Sequence, residues 1–399
     1  MTRVILIAGK GGVGKTTVAA STGLASARRG HRTLVLSFDL AHSLSDSFDL
    51  DEALFAEGTG EPRQVQPNLW IQEIDVQSEL QRNWQDLFKL TAAVMVGGGL
   101  EQALAEEVAI VPGMEDVVAL LRLNEHINAG TYDVIVLDSP PTGEAIRFVS
   151  ITSSLEWYVR KRLNIDRKIT SLLRPMASFL GESSQLIPDD SWFKSVLKLF
   201  QALEGVDKLL RDPKVTTVRL VTNPEKMVVR ETQRAYMYFS LYGMTIDSVV
   251  INRLLPQDDP FFAEWAKTQV KFSQVITDYF APVPVTALPF FSKEVVGLRQ
   301  LKAFSQMLFD STDPAAIHVN APGYGLKKTG ENEYQLEILA PRVPEDKIDI
   351  RRKQEDLVVS IGMFRRNILL PRKLVALRTA GAEITGDKLI ITFKGGNDA

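Results

Sequence analysis

The chain contains no cysteine among its 399 residues. That excludes disulfides, thiolate zinc sites, cysteine-ligated iron–sulfur clusters and cysteine nucleophiles. Histidine is almost as scarce. His31, His42, His126 and His318 are scattered without ligand spacing, so each is expected to be structural. No apolar run reaches the ~18 residues that a membrane span requires. The first strand starts at residue 3, so no signal peptide is expected. The net charge of −3 is of the wrong sign for a protein that holds nucleic acid through its overall charge. These absences predict a soluble compartment, cytoplasmic or stroma-like. What is present suits a large core: 45% of the residues are hydrophobic, and the length suggests two or three domains.

Strand and helix patterns alternate through residues 1–310. "RVILIAG", "TLVLSFD", "YDVIVLD", "VTTVRLVTN", "DSVVINRL" and "APVPVTALP" are short, apolar and rich in β-branched residues. Helical patterns separate them, which predicts an α/β fold with a doubly wound, mainly parallel sheet. Ligands in such sheets sit at the carboxyl ends of strands, where Gly9, Asp39, Asp138, Asn223, Asn252 and Pro289 all fall. Residues 76–200 read as largely helical. Residues 311–333, rich in Pro, Gly, Asp and Asn, read as a linker. From 334 to 396 the period changes to two, and Gly386-Asp387 marks a hairpin turn. A small β-sandwich is expected there, and its thin core predicts that it docks on the larger domain or on another subunit.

The stretch "GKGGVGKTT" follows the first strand. Gly9, Gly11 and Gly14 satisfy G-x-G-x-x-G, and Asp39 stands near where a dinucleotide fold places its ribose acid. A dinucleotide site has no use for Lys15-Thr16, however. Gly9 to Thr16 reads G-x-x-x-x-G-K-T, a phosphate loop whose backbone N–H groups cradle phosphates. Lys15 then reaches the outer phosphates, and the Thr16 hydroxyl can ligate Mg²⁺. Gly9, Lys10, Gly11, Gly12, Val13, Gly14, Lys15, Thr16 and Thr17 are therefore the candidate nucleotide-binding residues.

Asp138 ends "YDVIVLD" and can hold Mg²⁺ or its waters. Asp39 can orient or deprotonate an attacking water, though an N-cap role serves equally well on the residues alone. Thr16, Asp39 and Asp138 make up the candidate metal set, with ATP or ADP and Mg²⁺ as the expected ligands and no zinc. Lys10 is a lysine that a standard phosphate loop does not require. A charge crossing a two-fold interface to the partner's nucleotide would explain it, as the lysine version of an arginine finger. Lys10, Lys15 and Asp39 are the candidate catalytic residues.

"GKGGVGKTT", "DLAHSLSDSF", "DSPPTGEAIRF", "NPEKMVVRET" and "ALPFFSKEVVGL" occur in this order. Together they resemble the arsenite-pump and tail-anchored-protein-targeting ATPase family over residues 1–310. The resemblance implies that Lys10 acts in trans across a homodimer, that the switch I acid Asp39 activates water, and that switch II starts at Asp138. It also implies adenine contacts from Asn252, Pro289 and Phe290, and adds Asn223 to the nucleotide-binding set. The chain departs from the family in three ways. Leu40 replaces the proline of D-P-A-H. The C-x-x-C of the targeting branch is missing, and Phe261, Phe262 and Trp265 follow Asn252 instead. The cysteines of the arsenite branch are missing too, which removes thiolate capture of arsenite. The tail, with "GAEITGDKLIITF", resembles the α-crystallin domain of small heat-shock proteins, an arrangement similar to the cyanobacterial and plastid branch of the family. The residues after its last strand, "KGGNDA", carry no I-x-I tail, so giant assemblies are not expected.

Ile165, Ile169, Leu172, Leu173, Met176, Phe179 and Leu180 recur at helical spacing, and Leu87, Phe88, Met95 and Val96 add a second apolar stretch. Packing on the core explains them, as does a groove for an apolar client helix, whereas Pro175 inside the stripe disfavours an interfacial membrane helix. The resemblance favours the groove. The expectation is a Mg²⁺-dependent homodimeric ATPase that binds hydrophobic segments of membrane proteins. It would bind no nucleic acid and touch membranes at most transiently, through a receptor. A partition-type ATPase, a metabolite-directed phosphate-loop enzyme and a holdase acting through the sandwich alone are the alternatives.

Overall fold

The computed structural model describes residues 2–39, 43–50, 60–75, 79, 114–158, 190–321 and 323–395. His42, Leu40 and the apolar stretches at 87–96 and 165–180 lie outside the described residues. The sheet strands are β1 (Arg3–Ala8), β2 (Thr33–Ser37), β3 (Arg63–Gln66), β4 (Leu69–Glu73), β5 (Val134–Asp138), β6 (Thr216–Thr222), β7 (Ile246–Leu254) and β8 (Val285–Pro289). The helices are α1 (Lys15–Arg28), α2 (Ser43–Ser47), α3 (Met114–Ala129), α4 (Thr142–Tyr158), α5 (Asp190–Ala202), α6 (Val206–Arg211), α7 (Lys226–Leu241), α8 (Ala263–Phe280), α9 (Gly297–Phe309) and α10 (Arg372–Val375).

β1 is buried along its whole length, as a strand between two helical layers must be. Its side chains alternate between two cores. Val4, Leu6 and Ala8 join the core under α3, α4, α7 and α8, whereas Ile5 and Ile7 join the core under α1, α2 and α9. The sheet order is β3-β4-β2-β5-β1-β6-β7-β8, and only the β3–β4 pair is antiparallel. From β1 the chain first builds outward through β2 and later crosses to β6 on the other side. A crevice therefore opens at the carboxyl end of β1. α1 lies close on the sheet because its residues are small: a Cβ on Gly23 would come 2.2 Å from Val35 Cγ2.

Six of the eight strands are expected from the sequence. β3 and β4 are additional. β3 is a partly exposed edge of four residues without an apolar run, so it leaves no periodic signal.

The tail forms two antiparallel sheets. One has the order β14-β15-β10-β9 and the other β11-β12-β13. Their strands are β9 (Tyr324–Gly330), β10 (Glu333–Leu339), β11 (Ile348–Lys353), β12 (Asp356–Ile361), β13 (Phe364–Leu369), β14 (Arg378–Thr385) and β15 (Lys388–Lys394). β9 corrects the expected linker of 311–333. Its Gly- and Lys-rich sequence reads as loop, yet it pairs with β10 as an edge strand. The stretch before it is fastened as well. Arg3 Nε donates to the Ala315 carbonyl at 3.2 Å, Arg219 Nη2 to that of Ala316 at 3.1 Å, and Arg29 Nη2 to that of Thr312 at 2.6 Å.

The sandwich shares its core with the ATPase domain. Met237 and Leu241 of α7 pack among Leu336, Ile338, Leu357, Ile391 and Phe393. Arg366 is buried, donates to the Leu241 carbonyl, and lies over the rings of Tyr242 and Tyr324 at 5.4 and 5.0 Å. Leu241→Ala is expected to cost ~2–5 kcal/mol and to lower the unfolding midpoints of both parts together. Denaturant unfolding followed by probes in each part checks this. Independent transitions would show that no core is shared.

Candidate functional site

The phosphate loop is built from positions where a side chain does not fit. A Cβ on Gly9 would fall 2.3 Å from the Val221 carbonyl oxygen, and one on Gly14 would fall 2.5 Å from Asn252 Nδ2. Gly12 and Gly14 take φ of 82° and 94°, which glycine adopts at little cost. α1 begins at Lys15 with no side-chain cap, so its first N–H groups remain available to an anion. Asn252 braces the loop from β7: its Nδ2 donates to the Val13 carbonyl at 2.9 Å.

Lys15 is buried, with 6% of its surface exposed. Burial lowers its pKa, opposed by the carboxylates of Asp138, Asp39, Glu231 and Glu144. Its Nζ donates to the Lys10 carbonyl at 3.4 Å. The loop thus uses the Lys10 backbone, while the Lys10 ammonium makes no hydrogen bond or ion pair among the described residues.

Asp138 is completely buried. Burial pushes its carboxyl up to about 7, and Asp39 adds to this; the Thr16 and Ser37 hydrogen bonds and the Lys15 charge oppose it. Ser37 Oγ donates to Oδ2 at 3.4 Å, and Oδ1 has no partner among the described residues. Thr16 Oγ1 also lies 3.2 Å from Ser43 Oγ. An unpartnered, buried carboxylate oxygen next to a threonine hydroxyl and a lysine fits a divalent cation carried by a triphosphate. Thr16 and Asp138 would hold it, with Asp39 close by. Among the described residues no group of three or more His, Asp or Glu forms a separate metal site.

A cleft of about 760 Å³ opens over the loop. Gly11, Gly12, Gly14, Lys15, Thr16, Thr17, Asp39, Asn252, Pro289 and Phe290 line it. Of the remaining candidates, Gly9, Val13 and Asp138 are buried and Lys10 is partly exposed, and none of the four lines the cleft. Asn223 is buried at the end of β6, does not line the cleft, and leaves its Oδ1 without a partner among the described residues. Residues outside the candidate set also line the cleft, among them Ser43 and Phe291, which fall inside "DLAHSLSDSF" and "ALPFFSKEVVGL", and Arg253. Glu73 of β4 holds α2 by accepting from Leu44 N at 2.9 Å and Ser45 Oγ at 2.5 Å. Ser43 could have been found from its place four residues past Asp39; Arg253 and Glu73 gave no signal. His126 Nε2 pairs with Gln72 Oε1 at 2.7 Å, which is a structural role.

Residues 2–310 match the family model described as "Anion-transporting ATPase", and residues 331–393 match an "HSP20-like domain found in ArsA". A relative from Aquifex aeolicus, named as arsenical pump-driving ATPase 1, is 38% identical over 98% of this chain and 99% of its own length. One from Chlorobaculum tepidum with a similar name is 35% identical over 98% of this chain and 96% of its own. ATPase GET3 of Komagataella phaffii is 31% identical over 77% of this chain and 89% of its own. The chain belongs to the anion-transporting ATPase family, as an ATP hydrolase that carries the family's HSP20-like domain.

Proposed function

We propose that this ATPase works as a Mg²⁺-dependent homodimer that binds hydrophobic segments of membrane proteins under nucleotide control. The observation that carries the reading is the course of α4. It starts at Thr142, four residues past Asp138, and runs to Tyr158, at the edge of the stretch that holds the apolar pattern. α3 begins at Met114, eighteen residues past Val96 of the other apolar stretch, and Arg147 of α4 reaches Glu115 and Asp116 of α3 at 3.6 Å each. A shift of switch II on loss of the γ-phosphate can therefore pass along α4 to the stretch that follows it, and across to α3 through Arg147. The GET3 relative supports the same reading at lower identity. Thiolate capture of arsenite is closed to a chain without cysteine.

In this reading Lys15 and the loop N–H groups hold the phosphates, and Thr16 and Asp138 hold the cation. Asp39 orients the attacking water and accepts its proton. Lys10 meets the partner's nucleotide and stabilises the charge that builds up in transfer. Pro289 and Phe290 bound the far end of the cleft, where the base would lie. Bound Mg²⁺ neutralises phosphate charge. No described helix is long and apolar enough to cross a membrane.

Asp39→Asn is expected to retain ATP and to lower hydrolysis by ~10²-fold or more. Capture of a hydrophobic tail peptide by the intact protein should follow nucleotide state, and with ATP it should persist in Asp39→Asn. Capture that ignores nucleotide would separate the ATPase from any client. Lys10→Ala is expected to lower turnover ~10³-fold or more in dimers while leaving ATP affinity close to wild type. Full turnover in mixed dimers whose only intact Lys10 sits beside its own nucleotide would rule out action in trans.

A further inference from the structure

Arg253 stands one residue past Asn252 with φ of 61°. This left-handed conformation strains a non-glycine residue, and such strain persists only where the surroundings fix it. Here they do. Arg253 N donates to Asn252 Oδ1 at 2.9 Å, and its carbonyl accepts from Gln269 Nε2 at 3.3 Å. Leu255 N donates to Gln269 Oε1 at 2.8 Å, and Phe290 N donates to the Leu254 carbonyl at 2.7 Å. Four hydrogen bonds thus hold a strained arginine at the rim of the cleft and tie it to the loop that carries Phe290.

The arrangement also commits Asn252. Its Nδ2 is taken by the Val13 carbonyl and its Oδ1 by Arg253 N, so its amide already serves the loop. The Arg253 side chain is exposed and lines the cleft beside Pro289 and Phe290. Among the described residues no hydrogen bond, ion pair or aromatic ring engages its guanidinium. The phosphate loop fixes one end of a nucleotide, and Arg253 and Phe290 line the same cleft outside that loop.

We propose that Arg253 binds the base: its planar guanidinium stacks on the purine ring of the bound ATP. This rests on the reading that the triphosphate occupies the phosphate-loop cleft. Guanidinium groups stack on π faces through charge and shape, and an ammonium reproduces only the charge.

The test titrates ATP and inorganic tripolyphosphate, each with Mg²⁺, into the full-length protein. The variants are Arg253→Ala, Arg253→Gly, Arg253→Lys and Lys15→Ala. Arg253→Gly removes the side chain and the backbone strain together, so it reads the loss without a folding penalty. ATP affinity is expected to fall about tenfold in Arg253→Ala and Arg253→Gly. Tripolyphosphate affinity should stay at the wild-type value, and Arg253→Lys should recover little of the loss. Unchanged ATP affinity in Arg253→Gly overturns the proposal. An equal loss of tripolyphosphate, or full rescue by lysine, also overturns it, because Arg253 would then be a general cation for phosphates. Lys15→Ala separates the two readings. ATP binding that survives there places the nucleotide elsewhere and overturns both. ATP binding lost there but intact in Arg253→Gly overturns the role of Arg253 alone.

Discussion

The hydrogen bond from Asn252 Nδ2 to the Val13 carbonyl holds the phosphate loop against the sheet. With the Val221 carbonyl beneath Gly9 and Asn252 Nδ2 beneath Gly14, the loop is pressed onto the ends of β6 and β7, where no Cβ has room. A loop pressed from below can present its N–H groups only to the space above. Its glycines thus serve packing first and phosphate approach second, and the same contacts satisfy both. The brace also sets the start of α1, because Gly14 is its N-cap.

Above the loop the electrostatics are unbalanced. Burial drives Lys15 and Asp138 toward their neutral forms, one downward and the other upward, although each charge favours the other. Such opposed shifts mark a site prepared for added charge rather than a settled ion pair. Anionic phosphates and a divalent cation restore both charged forms, the first by meeting Lys15 and the second by meeting Asp138. The position of Asp39 fits this arrangement: it is partly exposed at the cleft, whereas Asp138 is sealed behind Thr16.

The parts of the site that were legible in the sequence depend on contiguous residues. G-x-x-x-x-G-K-T is fixed by the reach of a single loop, and the carboxylates by the ends of apolar strands, so Lys15, Thr16, Asp39 and Asp138 could be named in advance. The fold class followed from short β-branched runs separated by helical patterns. What stayed hidden depends on distant partners. β9 has strand geometry because β10 is there to pair with it, and β3 because β4 is. The conformation of Arg253 is imposed by Gln269, sixteen residues later on another element. Asn223 sits at a strand end as its motif implies, yet it is buried away from the cleft. A strand end fixes where a residue lies along the sheet and leaves open which neighbours cover it.

The two helices that leave the carboxyl ends of β5 and β6 lead away from the cleft to different places. α4 follows Asp138 toward the apolar stretch, whereas α7 follows Asn223 and ends against the sandwich, where Met237 and Leu241 join the core of the tail strands. A sandwich of this size has a thin interior, and α7 adds to it. Arg366 shows how closely the sandwich is tied to that helix. Its guanidinium is buried with Nε unpartnered among the described residues, and what stabilises it is the Leu241 carbonyl, the ring of Tyr242 and the sandwich's own Tyr324. Pulling the sandwich away from α7 would expose two apolar side chains and strip a buried cation of its carbonyl partner. The tail is therefore fastened to a helix that starts at the nucleotide end of β6, and a movement of that helix would carry the tail with it.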